Sequence, residues 1–157
     1  MQGGSGVQVR EVAWDHPDAA AMRERMGQEM AAVYADRELP AGPLGVDDDT
    51  VVWTGLAVTV DGVPAGHAAL RTLHGTVELK RMYVDPAHRG QGVAGLLLRA
   101  VHEAARARGQ RSVLLQTGDR QPDAVRLYER AGYRRVPVFA PYETVTFSIC
   151  MELVLPG

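Results

Sequence analysis

Hydrophobic and polar positions change their period several times along the chain, and each change marks an element. Val7 to Trp14 alternates in the manner of a strand. Asp15, Pro17 and Asp18 then read as a helix start, with acid in the first turn at the positive end of the helix dipole. Met22, Met26, Met30 and Val33 recur at helical spacing, which predicts an amphipathic helix from about Pro17 to Arg37. The stretch Pro40-Ala41-Gly42-Pro43-Leu44-Gly45 breaks that period, and Asp47-Asp48-Asp49 precedes a near-continuous apolar run. Val51 to Val60, the pair Asp61-Gly62 and Ala65 to Leu73 predict a hairpin with a two-residue turn, because Asp-Gly tolerates the positive φ angles such a turn requires. Gly75 turns the chain again into a strand over Val77 to Val84, completing an antiparallel meander.

The second half of the chain changes style. Beyond Asp85-Pro86 lies a glycine-rich turn, followed by a long helix whose core face carries Val93, Leu96, Leu97, Ala100, Val101 and Ala104 and which Gly109 ends. Val113 to Gln116 is a short buried strand, so strand, helix and strand form one right-handed crossover with a parallel pair. Asp123 to Ala131 predicts a further helix closed by Gly132. Strands over Tyr133 to Val138 and Thr146 to Leu153 follow, separated by a loop containing Pro141. The order β-α-βββ-α-β-α-ββ describes an α/β domain in which a mixed sheet is covered by helices.

Composition narrows the function. A chain of 157 residues, 46% hydrophobic and 23% charged, suits a single domain over residues 1–157, with residues 1–6 as a flexible lead-in. Lys+Arg is 17 against 19 Asp+Glu, a net charge of -2, which lacks the positive field of a dedicated nucleic-acid binder. Lys80 is the sole lysine, leaving 16 of the 17 basic residues as arginines. The single cysteine, Cys150, can form neither an internal disulfide nor a multi-cysteine zinc site, so a reducing, cytoplasmic setting and no metal are expected. The N-terminus lacks the pattern of a signal peptide, and the apolar run Val51 to Val60 is too short to cross a bilayer.

The chemistry concentrates at His88-Arg89-Gly90-Gln91-Gly92-Val93-Ala94, between a strand and a helix. Glycines there remove side-chain bulk and let a ligand reach consecutive backbone N–H groups at the positive end of the helix, a cradle for a diphosphate. No Lys-Ser/Thr follows, which argues against a P-loop, and the spacing is not that of a dinucleotide fold. The segment from Glu78 through Pro86 and on to Ala94 resembles the signature of the GNAT superfamily of acyl-CoA-dependent N-acyltransferases, whose pattern Gln/Arg-x-x-Gly-x-Gly/Ala is matched by Arg89, Gly92 and Ala94. Ala124 to Tyr133 looks like that family's second signature, a helix carrying a tyrosine before an exiting strand. The resemblance covers about Val7 to Leu153.

That resemblance implies a central mixed sheet of about seven strands flanked by helices. It further implies transfer of an acetyl group from acetyl-CoA to a primary amine, by direct attack in a ternary complex. The backbone of Met82, Tyr83 and Val84 would pair with the pantetheine arm, with an N–H facing the thioester oxygen. The backbone of Arg89, Gly90, Gln91, Gly92, Val93 and Ala94 would hold the diphosphate. Gln121 stands where many members place an asparagine that contacts the cofactor. Tyr128 is similar in position to the general acid: a phenol near pKa ~10 stays protonated at neutral pH and can protonate a leaving thiolate whose thiol has a pKa near ~8.5. Tyr128 also lies on an apolar stripe with Ala124, Leu127 and Ala131, where it could simply pack.

Glu78 is similar in position to the glutamate base of the histone-acetyltransferase branch; the alternatives are a solvated strand charge or a partner for Arg71 or Arg81. His67 and His74 read as structural, Asp47 to Asp49 as a solvated turn, and Tyr142 and Glu143 as candidates to line an acceptor pocket. The acceptor, a small-molecule or peptide amine, has no transferable motif; a membrane partner is not expected, and dimerisation, common in the family, is left open. The competing reading is a catalytically silent acyl-CoA-binding module that acts through a protein partner. In either case cofactor and acceptor must share one sheet, meeting where strands 77–84 and 113–116 part.

Overall fold

A computed structural model describes residues 6–37 and 46–156. The elements follow the expected order: β1 (Gln8–Glu11), α1 (Pro17–Val33), β2 (Val51–Val58), β3 (Pro64–Leu73), β4 (Thr76–Val84), α2 (Val93–Ala107), β5 (Ser112–Gly118), α3 (Pro122–Arg130), β6 (Arg134–Val136) and β7 (Ser148–Val154). The seven strands form one sheet in the order β1-β2-β3-β4-β5-β7-β6. Every neighbouring pair is antiparallel except β4 and β5. The Pro40 to Gly45 break falls outside the described residues.

Alternation along the strands divides the core between the two faces of the sheet. Ala57, Ala68, Leu70, Val77 and Leu79 pack with Val93, Leu97 and Val101 of α2 and with Tyr128 of α3. Leu56, Val58 and Tyr83 instead pack with Met22 of α1. α1 therefore covers one face while α2 and α3 cover the other. No helix among the described residues is long and apolar enough to cross a membrane.

Two local expectations are corrected. The hairpin between β2 and β3 does not use a two-residue turn. Thr59 pairs with Val63, and Val60, Asp61 and Gly62 form a three-residue loop in which Gly62 takes a φ of 81°. α1 stops at Val33 rather than Arg37, because Tyr34 leaves the helix to stack on Phe147 at 4.9 Å. The cap of α1 is His16, whose Nδ1 accepts from the Asp18 amide.

Two features of β4 shape the site. Its pairing with β3 runs from Tyr83 opposite His67 to Lys80 opposite Ala69, so Arg81 and Met82 together oppose a single residue. Arg81 sits in this bulge with a φ of 56°. On its other edge, β4 pairs with β5 only over Val77, Glu78 and Leu79. Beyond Leu79 the parallel strands separate, and β5 stays paired with β7 as far as Gly118 opposite Ser148.

Candidate active site

The separation of β4 and β5 opens a cavity of about 690 Å³. Met82, Tyr83 and Val84 line one wall, Leu115 to Gly118 the other, Ala94 the approach from α2, and Gln121 and Tyr128 the side formed by α3. Met26, Met30 and Tyr34 of α1 and Phe147 close the remaining side. Of the site residues expected from the sequence, Met82, Tyr83, Val84, Ala94, Gln121 and Tyr128 line this cleft, whereas Glu78 and Arg89 to Val93 do not.

At the α2 end the site is built from backbone. Gly92 is the N-cap, with a φ of 82° that an L side chain reaches only at a cost of about 1–2 kcal/mol. Asp85 caps the preceding 3-10 turn by accepting from the Ala87 amide. Among the described residues, no partner is recorded for the amides of Gly90, Gln91, Gly92, Val93, Ala94 and Gly95. These are orphan donors at the positive end of a 15-residue helix, a ready site for a multiply charged anion.

The Arg89 side chain does something other than line that cradle. Its Nε donates to the Val84 carbonyl at 2.9 Å, and its Nη2 donates to both carboxylate oxygens of Glu29 at 2.9 and 3.0 Å. Arg89 thus ties the glycine turn to the end of β4 and to α1, and its own amide is engaged by the Pro86 carbonyl at 3.4 Å, which leaves the cradle to the amides that follow it.

The wall carrying Tyr128 follows from the cap of α3. Tyr133 N–H donates to the Tyr128 carbonyl and Gly132 N–H to that of Glu129, a closure that lets the chain re-enter the sheet immediately after the helix. Val125 and Tyr128 are the buried residues of α3, and the Tyr128 ring meets that of Tyr133 edge to face at 5.7 Å. The Tyr128 Oη has no hydrogen-bond partner among the described residues, although the ring is only 7% exposed and lines the cavity. Burial raises its pKa above the ordinary phenol value, so the hydroxyl holds its proton across the physiological range.

At the other end the site is built from side chains. Glu78 is fully buried; its Oε1 accepts from Arg71 Nε at 2.8 Å and its Oε2 from the Tyr142 hydroxyl at 2.6 Å. Arg71 is the direct cross-strand neighbour of Glu78, so of the alternatives open in the sequence the partnership with Arg71 is the one formed. Tyr142 Oη also accepts from Lys80 Nζ at 2.8 Å and from Arg71 Nη2 at 3.2 Å. Burial and the adjacent carboxylate both push the Tyr142 pKa up.

Lys80, two residues beyond Glu78 on the same face of β4, lines the cavity with its side chain 10% exposed. Desolvation pulls its pKa down to about 8, with Glu78 opposing the shift and Arg71 and Arg81 adding to it. The spacing of Glu78 and Lys80 and the uniqueness of the lysine were legible signals for this residue. Arg71 comes from the neighbouring hairpin strand, and Tyr142 from a segment 64 residues away from Glu78.

His67 is fully buried, accepting from Arg23 Nη1 at 3.0 Å and donating from Nδ1 to the Arg81 carbonyl at 2.9 Å. Desolvation, together with the Arg23 and Arg81 charges, lowers its pKa to about 4, so it is a neutral pin that holds the bulge. His74 contacts the Ala140 carbonyl at 2.6 Å, and Asp48 accepts from Trp14 Nε1 at 2.9 Å. Glu143 is exposed and Cys150 is a buried free thiol. Gln121 caps α3 and reaches the Tyr34 hydroxyl at 3.5 Å.

Tyr34 was not singled out from the sequence. Its hydroxyl occupies the space a Cβ at Gly118 would need, and it accepts from the Arg120 amide at 3.2 Å. The ion pairs Arg37–Asp119 and Arg120–Asp36 fasten the end of α1 to the loop after β5, across the cavity mouth.

Comparison with known proteins identifies this architecture. The model of the acetyltransferase (GNAT) family matches residues 12–133. An IAA acetyltransferase from Azospirillum brasilense is 37% identical over 90 residues, covering 57% of this chain and 59% of that protein. N-acetyltransferase 8B from Rattus norvegicus is 34% identical over 93 residues, 59% of this chain and 39% of the relative. The matched segments are thus only about half the length of these relatives. A candidate acyl-CoA N-acyltransferase from Klebsiella pneumoniae subsp. pneumoniae MGH 78578 superposes with a TM-score of 0.83 at 27% identity, covering 98% of this chain and all of the other. With the family match spanning most of the sequence, the chain belongs to the GNAT acetyltransferase family.

Proposed function

We propose that the protein is an N-acetyltransferase that moves the acetyl group of acetyl-CoA onto a primary amine by direct attack in a ternary complex. The observation that carries this reading is the single cleft, which has orphan helix-start amides at one end and an unpartnered tyrosine hydroxyl in its wall. Bound acetyl-CoA supplies the thioester. The amides of Gly90 to Ala94 hold its diphosphate, and the β4 edge over Met82 to Val84, released from β5, is free to pair with an extended arm. The Gln121 amide lies within reach of the same arm.

The side chains divide the proton chemistry. An ammonium near pKa ~10 must lose a proton before it can attack. Glu78 is sealed from the cavity, so it works through Tyr142 to Lys80, the member of the chain that faces the substrate. Lys80, with its pKa lowered to about 8, takes the proton from the amine. The amine nitrogen then bonds to the carbonyl carbon as the carbon–sulfur bond breaks; Tyr128 delivers a proton to the departing sulfur, and the second proton of the acylated nitrogen leaves as the amide forms and restores the Tyr128 hydroxyl. Cys150 lies buried in β7 and forms no covalent intermediate; as the lone cysteine it also supports a cytoplasmic setting.

A thiol-release screen with acetyl-CoA across small amines, amino acids and peptides tests the reading. Release with at least one amine, accompanied by its acetylated product, is the expected result. A rise in melting temperature with CoA and no release against any amine would instead establish the silent acyl-CoA-binding module.

A further inference from the structure

The cavity wall carries charge of one sign. Its charged lining residues are Arg37, Lys80 and Arg81, with no carboxylate among the described residues that line it. Arg37 is ion-paired with Asp119, and Lys80 is bonded to Tyr142. The Arg81 guanidinium has no hydrogen bond or ion pair among the described residues; only its backbone carbonyl is engaged, by His67. An unpaired guanidinium at the wall of a partly enclosed cavity is an open fork for a carboxylate.

We propose, building on the transferase reading, that the acceptor is an amino acid with an apolar side chain, its carboxylate held by Arg81 while Lys80 takes the proton from its amine. The bulge supplies the geometry. In a regular strand, consecutive side chains point to opposite faces. Here the extra residue lets the adjacent Lys80 and Arg81 both line one cavity, so an acceptor that carries an amine and a carboxylate together can meet both. The charge of Arg81 acts on Lys80, His67 and Arg23, which places it on the α1 side of the sheet.

The cofactor's phosphates have no need of this arginine. The helix-start amides belong to α2 on the opposite face, and Arg81 lies three residues back along β4 from Val84, at most about 10 Å at the rise of a strand. Met26, Met30 and Phe147 offer an apolar wall for the rest of the acceptor. The same charge pattern disfavours polyamines, which would bring further cations into a site that holds only cations.

The test uses L-leucine, L-leucinamide, isopentylamine, spermidine and a short peptide as acceptors, with acetyl-CoA, on the wild type, Arg81→Gln and Arg81→Lys. Initial rates of thiol release are read beside calorimetric binding of each amine to the CoA-loaded protein. Leucine should exceed leucinamide and isopentylamine by about tenfold or more in kcat/KM and in affinity, the scale of one charge-assisted contact. Arg81→Gln should erase that preference with CoA affinity unchanged, and Arg81→Lys should restore part of it. Thiol release favouring leucinamide, spermidine or the peptide would overturn the carboxylate site and leave the transferase reading standing. Selective, Arg81-dependent binding of leucine without thiol release would uphold the site and sink the transferase reading. Equal binding of leucine and leucinamide, or binding of neither, would overturn the site.

Discussion

The two ends of the cleft are made of different materials. At the α2 end the ligand-facing groups are backbone amides, presented because Gly92 adopts a left-handed conformation and α2 begins immediately after it. At the β4 end the ligand-facing group is the Lys80 side chain, backed by Glu78, Arg71 and Tyr142, which are gathered from two strands and a distant loop and withdrawn from water. The backbone end needs only sparse side chains and a helix dipole, and it serves any ligand carrying a diphosphate. The side-chain end is held by hydrogen bonds at low dielectric, where proton affinities are tunable and an unpaired charge is costly. A shared cosubstrate suits the first construction and a particular acceptor the second.

Mutations that separate the ends should have effects of graded size. Tyr128→Phe removes the hydroxyl proposed as proton donor and leaves both ends intact, so kcat should fall by about 100-fold or more with CoA affinity within about twofold. Full turnover with chemistry rate-limiting would remove the acid role.

Glu78→Gln strikes the side-chain end alone. It should lower kcat/KM by roughly tenfold, and because Glu78 is the group raising the Lys80 pKa, the limb of the pH profile belonging to Lys80 should move below about 8. An unchanged profile would count against the Glu78–Tyr142–Lys80 chain. Gly92→Ala strikes the backbone end alone. The cost of about 1–2 kcal/mol for a side chain at that φ should weaken CoA binding several-fold by calorimetry, without altering the pH profile.

The smallest effect concerns the pin between the ends. The His67 pKa is about 4 in the folded protein against 6.5 for the free group, so between these values the unfolded chain binds the extra proton. Stability from this residue is therefore present above about pH 6.5 and is lost as pH falls toward 4, with a slope of up to about 1.4 kcal/mol per pH unit. In His67→Gln, urea unfolding should show that slope reduced across the same window. An identical slope in the two proteins would mean that His67 does not titrate there.

This contrast also explains what the sequence could disclose. Periodicity and punctuation place the α-helices and strands of the described residues in order, because each is a local property of its own segment. The glycine turn is legible for the same reason: backbone geometry leaves its mark in adjacent residues. The end of α1 is not, since Tyr34 leaves the helix to reach Phe147, which is remote in sequence. Arg89 matches a motif position, but its side chain is turned toward Glu29, a direction fixed by the docking of α1. Glu78 and Lys80 show their common face through a spacing of two. That Tyr142 joins them depends on the path of the loop before β7, for which no local pattern exists. The bulge at Arg81 is equally silent, because an arginine is not a residue that signals a left-handed φ.

The division of labour between the ends can be measured directly by titrating CoA, and then CoA with L-leucine, into isotopically labelled protein while following backbone and side-chain signals by NMR. The account predicts that CoA alone shifts the amides of Gly90 to Gly95 and of Met82 to Val84, and that the Lys80 and Arg81 side-chain signals respond chiefly when leucine follows. Shifts centred on Lys80 and Arg81 with CoA alone, and none at Gly90 to Gly95, would contradict it.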